Sequence, residues 1–282
     1  MKTARLCLIL IASVPSLHAA AEQLAELRGD STNPHGAQAR ADGGPSACNC
    51  LTCDPVDSLL ISRLLNPDSG VTFEPVYYGE VFSNTRGGIS TRNATQYQAL
   101  LDLKVGMDFE RIGLPLPGRL VLLGQTTHGR GLSEDFIGDF QTVSNIDSFG
   151  NITQVSEYWW EVPLLTSNLF VRLGKQDVNT EFLLIDMAQD FIQSSFGLTP
   201  SAGLPSYPNP SMAAVVLGDL TESVRLKFGL WDILAEKGGW GFSGNEVTLT
   251  IAELECKYAL LHGKLPGAVD VGAVYASGGE AL

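Results

Sequence analysis

From Val71 onward the apolar residues recur with a period of two, and the stretch Gln96 to Phe109 shows it most clearly. Tyr97, Ala99, Leu101, Leu103, Val105, Met107 and Phe109 fall on one face, while Gln96, Gln98, Asp102, Lys104 and Asp108 fall on the other. Such alternation predicts a strand with one apolar and one polar face. Similar stretches run over Val71 to Phe82, Arg119 to His128, Val155 to Leu165, Leu169 to Lys175, Met212 to Leu220, Val224 to Asp232, Val247 to Leu261 and Ala268 to Ala276. The total is about nine strands, several of them about ten residues long, which is what a tilted strand needs to cross a bilayer.

The connections alternate in length. Short ones at Gly113 to Gly118, Thr166 to Asn168, Thr221 to Ser223 and His262 to Gly267 sit between long ones at Gly129 to Asn151, Val178 to Ser211 and Ile233 to Glu246. Outer-membrane barrels have this asymmetry, with short periplasmic turns and long external loops. The polar faces carry both signs of charge: Asp102 and Lys104, Arg172 with Lys175 and Asp177, Arg225 with Lys227, and Glu253 and Glu255 with Lys257. In a barrel these would line a wet lumen, whereas in a soluble sheet they would form the solvated face.

Composition narrows the choice. Charged residues are 17% of the 282, below the roughly 25% of an average soluble domain, and there are 30 glycines. A mean hydropathy of +0.10 suits alternating strands and turns. Outside the first twenty residues no apolar run reaches the roughly 18 residues of a membrane helix. The net charge of −13 and the lack of any Lys/Arg cluster argue against a nucleic-acid partner, which needs basic groups to displace phosphate counterions.

The amino terminus has its own organisation. Residues 1–20 place Lys2 and Arg5 before an apolar stretch from Leu6 to Val14 and small residues at Ala19 to Ala21, the pattern of a cleavable export signal. Residues 21–55 are poor in large apolar groups and read as a flexible linker. This linker carries Cys48, Cys50 and Cys53, whose spacing makes them weak candidates for a metal, with His35 the nearby fourth ligand to propose. In an exported protein a disulfide or free thiol is the better expectation. Residues 56–70 read as a short helical lead-in. Cys256, within a strand pattern, is expected to be a small apolar filler.

No catalytic constellation emerges, and no cofactor is called for. The sequence lacks a G-x-S-x-G elbow, an H-E-x-x-H pair and a phosphate-binding loop. His35, His128 and His262 are scattered, and Glu134, Asp135 and Asp139 read as loop charges rather than a glycosidase pair. Asn93-Ala94-Thr95 and Asn151-Ile152-Thr153 match glycan acceptors by chance if the chain resides in a bacterial outer membrane.

Three blocks carry a resemblance across Tyr78 to Pro200. The first is YYGEVFSNTRGG leading into YQALLDLKVGMDFERI and LPGRLVLLGQTTHGRGLS. The second is GDFQTVSNIDSF before EYWWEVPLL, and the third is LFVRLGKQDVNTEFLLIDMAQDFIQSSFGLTP. Their order and spacing resemble the carbohydrate-selective porin (OprB) family. That resemblance implies an all-β fold, an antiparallel transmembrane β-barrel of the outer-membrane porin type. Residues 71–282 would be its N-terminal part. The family's barrel implies about sixteen strands against about nine, so the expectation is an incomplete barrel from a truncated chain or gene fragment.

The implied task is diffusion of mono- or oligosaccharides through a charged lumen narrowed by an inward-folded loop, with outer-membrane lipid around the wall and homo-oligomerisation left open. Candidates for the sugar track are Arg86, Lys104, Arg172, Lys175, Arg225 and Lys227 on the basic side and Asp102, Asp177, Glu253 and Glu255 on the acidic side. Bracing of the barrel wall is the alternative role for the same charges. Two competing functions remain from the pattern alone: a soluble exported carbohydrate-binding β-sandwich, and an outer-membrane barrel enzyme.

Overall fold

The computed structural model describes residues 5–13 and 69–277, apart from 140, 149, 165–167, 184–190, 194–203, 234, 237, 245–246 and 263. The strands are β1 (Arg5–Ser13), β2 (Val71–Ser83), β3 (Thr95–Asp108), β4 (Arg119–Gly129), β5 (Thr153–Pro163), β6 (Leu169–Gln176), β7 (Ser211–Thr221), β8 (Val224–Asp232), β9 (Thr248–Leu260) and β10 (Leu265–Ala276). They form one sheet in the order β1-β10-β9-β8-β7-β6-β5-β4-β3-β2. From β2 to β10 each strand pairs antiparallel with its successor in the chain. A meander of this kind needs only local reversals, which antiparallel pairing permits.

The nine strands expected from alternation are β2 to β10. Most of their lengths, up to the 14 residues of β3, exceed the five or six usual in globular sheets. The reversals at 109–118, 164–168, 222–223 and 261–264 lie at one end of the sheet, and those at 84–94, 130–152, 177–210 and 233–247 at the other. Gly118 shows why a turn residue is needed. It has φ +85°, and a side chain there would run into the carbonyl oxygen of Glu161 on the neighbouring strand.

Arg5–Ser13, inside the segment read as an export signal, pairs with β10 from Arg5 opposite Ala276 to Ser13 opposite Ala268. The rest of that segment, the linker with Cys48, Cys50 and Cys53, His35, and the helical lead-in up to residue 68 lie outside the described residues. Cys256 is a free, half-buried thiol on β9.

The two faces of the sheet differ. On one, Phe73, Leu103, Leu173, Leu226, Phe228, Leu230, Leu254 and Val271 of β2, β3, β6, β8, β9 and β10 stand exposed, an apolar surface far broader than single solvent-facing leucines. On the other, Val215, Leu217, Trp231, Leu249, Ile251 and Val274 are buried against Val178, Phe182 and Leu183 of the β6–β7 connection. That connection folds onto the sheet, and its Phe182 ring meets Trp231 edge to face with centroids 5.2 Å apart. We call this the inner face and the apolar one the outer face. The long connections also hold each other: Tyr207 Oη donates to the Ile146 carbonyl at 2.8 Å, and the Asn145 amide to the Ile192 carbonyl at 2.6 Å.

Candidate functional site

Strand register builds the site. Arg119 of β4 stands opposite Glu161 of β5, which stands opposite Arg172 of β6. Directly opposed residues share a face and a height, so the three charges form a cross-strand row on the inner face. Arg119 Nε donates to Glu161 Oε1 at 2.8 Å, and Arg172 Nη2 donates to Glu161 Oε2 at 2.7 Å. Arg172 Nη2 also reaches Glu181 Oε1 of the β6–β7 connection at 2.8 Å.

Trp159, two residues before Glu161 and so on the same face, completes the arrangement. The Arg172 guanidinium carbon lies 4.1 Å from the Trp159 ring centroid, and that of Arg119 lies 5.5 Å from it, both within cation–π range. Trp159 is itself only 6% exposed. Its ring therefore supports the arginines and does not offer an open stacking surface.

A cavity of about 530 Å³ opens beside this row, with Lys104, Arg119, Trp159, Arg172 and Glu181 among its walls. The Arg172 side chain is 3% exposed, and its Nη1 is buried without a hydrogen-bond partner. A desolvated guanidinium nitrogen in that position is costly unless something accepts from it. The donors that the cavity wall leaves accessible are Lys104 and Arg119, whose side chains are half exposed.

A second set of charges follows the same logic across β7 to β10. Asp219, Arg225, Glu255 and Asp270 are opposed in sequence, and Lys227 opposes Glu253. Lys227 Nζ lies 2.6 Å from Glu253 Oε1 and 3.4 Å from Glu255 Oε2, and Lys257 lies 3.3 Å from Glu255. Arg225 lies 3.5 Å from Asp219 and 3.9 Å from Glu181. The inward connection is fastened here as well: Lys227 Nζ donates to the Glu181 carbonyl at 2.9 Å, and the Leu183 amide donates to Glu253 Oε2 at 3.0 Å.

The candidate residues thus separate. Arg172, Lys227 and Glu253 are buried in ion pairs under the folded connection, with Arg225 and Glu255 beside them. Lys104, half exposed, lines the cavity and lies 4.0 Å from Glu74. Asp102 accepts from Gln125 Nε2 at 2.9 Å. Arg86 lies exposed in the 84–94 connection, apart from the cavity. Lys175 stands in register with Tyr158 and Met212, on the opposite face of β6 from Arg172.

Asp177 begins the inward connection and accepts from the amides of Asn179 at 2.8 Å and Tyr207 at 2.6 Å. Burial pushes its carboxyl up to about 6 despite those two donors, and burial also pushes the Tyr207 phenol up to about 12.

Arg119, Trp159, Glu161 and Glu181 were not singled out by sequence. Arg119 and Glu161 open and nearly close their strands, and each is an isolated charge whose partner lies on another strand. Glu161 and Trp159 do share a period-two face in EYWWEVPLL, the one local signal available for them. Glu134, Asp135 and Asp139 lie within the 130–152 connection, where Asp135 pairs with Arg130 and Asp139 accepts from Ser133. His128 lies 3.2 Å from Tyr77 Oη. Among the described residues, no group of three or more His, Cys, Asp or Glu could hold a metal ion.

A family model described as "Carbohydrate-selective porin, OprB family" matches residues 92–279. No curated protein matches the chain. The high-pH structure of Pseudomonas putida OprB is 21% identical, with a TM-score of 0.65, over 79% of this chain and 54% of that one. The low-pH structure of the same protein is 16% identical, with a TM-score of 0.44, over 77% of this chain and 56% of that one. The chain spans about half the length of the solved structures it matches.

Proposed function

The chain belongs to the carbohydrate-selective porin, OprB family, and on that premise we propose that it forms part of an outer-membrane barrel through which small carbohydrates diffuse. A porin passes solute without making or breaking a covalent bond, and the chain is not an enzyme. The outer face supports the placement, because its exposed Phe73, Leu173, Phe228, Leu230 and Val271 suit lipid and would be a liability in water. Export by cleavage after the first twenty residues is part of the same proposal.

One observation carries the substrate class: the Arg119–Glu161–Arg172 row, backed by Trp159, lies beside a cavity that Lys104 and Glu74 also line. A sugar hydroxyl gives up water on entering a constriction and needs a polar partner in exchange. Lys104 and the exposed edge of Arg119 supply donors, and Glu74 and Glu181 supply acceptors. Glu161 and Trp159 hold the two guanidinium groups in place, so the track is fixed before solute arrives.

The test is sugar permeation by the protein purified from its host's outer membrane and placed in liposomes. Arg119→Gln is expected to lower monosaccharide flux several-fold while small-ion conductance changes by less than twofold. Equal flux of sugar and of a size-matched polyol through native protein and variant would overturn the reading.

A further inference from the structure

The β8–β9 connection does something the lumen charges do not explain. Its residues Gly239, Trp240 and Gly241 fold back along the barrel wall, and all three carbonyls are engaged by it. Gly239 O accepts from Lys175 Nζ at 2.8 Å, Trp240 O accepts from Tyr158 Oη at 2.7 Å, and Gly241 O accepts from the Met212 amide at 2.9 Å. Tyr158, Lys175 and Met212 form one row across β5, β6 and β7, on the outer face and at the end of the sheet that bears the long connections.

Lys175 is almost completely buried by this fold, and its other partner is the carbonyl of Val155 at 2.9 Å. Two backbone oxygens, one from the wall and one from the connection, therefore share the ammonium. Gly241 permits the approach: at φ +87°, a Cβ would stand 2.9 Å from Lys175 Cγ and 3.0 Å from the Met212 amide nitrogen. What the fold leaves outside is aromatic. Trp240 is 71% exposed and Phe242 65%, with the Trp240 ring edge-on to Tyr158 at 6.1 Å.

We propose that residues 239–242 are a membrane anchor, strapped to the outer face of the wall so that Trp240 and Phe242 enter the headgroup layer of the surrounding lipid. The proposal rests on the barrel reading above. Lipid is favoured because the Tyr158–Lys175–Met212 row that holds the strap lies on the face where Leu173 and Leu230 stand exposed, and because the three carbonyls of the strap are already satisfied by the wall. Indole rings settle at the membrane–water interface.

The experiment measures quenching of tryptophan emission in liposomes of phosphatidylcholine brominated near the headgroup, with the protein purified from its own outer membrane. The emission lost in Trp240→Phe is expected to be quenched at least twofold by the brominated lipid and little by aqueous iodide. Gly241→Ala, which keeps the indole but crowds the strap, is expected to shift that emission towards iodide quenching. Iodide quenching of native Trp240 without lipid quenching overturns the anchor, and so does lipid quenching that disappears as protein is crowded in the bilayer, the sign of contact between copies. Phe228→Trp, on the open wall, separates the two proposals. If lipid quenches that indole and not Trp240, the barrel reading stands and the anchor fails; if it quenches neither, the barrel reading fails.

Discussion

Arg172 and Glu161 face each other across β5 and β6, joined by two nitrogens of one guanidinium to a single carboxylate oxygen at 2.7 and 3.1 Å. Removing one member of a buried pair leaves the other charge without compensation, at about 3–5 kcal/mol. Glu161→Gln is expected to destabilise the fold by an amount at the low end of that range, since Glu181 still pairs with Arg172. Urea unfolding of the detergent-solubilised protein checks it, and an unchanged midpoint would show the row to be energetically idle.

Glu181 ties the inward connection to Arg172 and Arg225 through its carboxylate, and to Lys227 through its carbonyl. Glu181→Gln keeps the carbonyl contact and loses the charge. The connection should then loosen from the β5–β6 side, and single-channel conductance in a planar bilayer should rise with greater current noise. A quieter or narrower channel would mean that the carboxylate is not what holds the connection down.

Asp177 makes the fold pH-sensitive in a defined direction. Its folded value of about 6 lies above the roughly 3.9 of a free aspartate, so between those values the folded state holds a proton that the unfolded state has released. Stability from this group is therefore complete below about pH 4 and falls as pH rises through about 6. The amides of Asn179 and Tyr207, which donate to the carboxylate, are the reporters. Their hydrogen exchange, corrected for intrinsic rate, should gain an opening component across that window, and Asp177→Asn should flatten it.

Gly118→Ala places a methyl group against the Glu161 carbonyl in a left-handed conformation. The strained backbone alone costs of order 1–3 kcal/mol. Because the next residue is Arg119, the turn distortion should also weaken the Arg119–Glu161 contact. Thermal unfolding of the variant should fall by more than that of Gly113→Ala, whose added Cβ meets nothing within 4 Å.

Strand positions were legible because one exposed apolar face alternates with a second face of different character along most of the sheet, which imposes a period of two. β8, Val224–Asp232, even has the expected bounds. The site was less legible because its contacts are not periodic. Nothing near Glu181 in the sequence says that it turns inward to meet Arg172, and nothing local pairs Arg119 with Glu161. Proximity along the chain groups Lys175 with Arg172, yet an odd separation along a strand sends the two to opposite faces. Charges expected to be wetted, Arg172, Lys227 and Glu253, are covered by Phe182, Leu183 and their neighbours, a packing that belongs to the connection and not to the strands.

The Arg119–Glu161–Arg172 row also works as a registration mark. Sliding β6 past β5 by two residues would return every side chain to its own face, so the alternating pattern is blind to that error. The charges are not blind to it, since Glu161 would then oppose Phe170 or Gly174 in place of Arg172. The row lets the sheet distinguish a correct alignment from its nearest counterfeit.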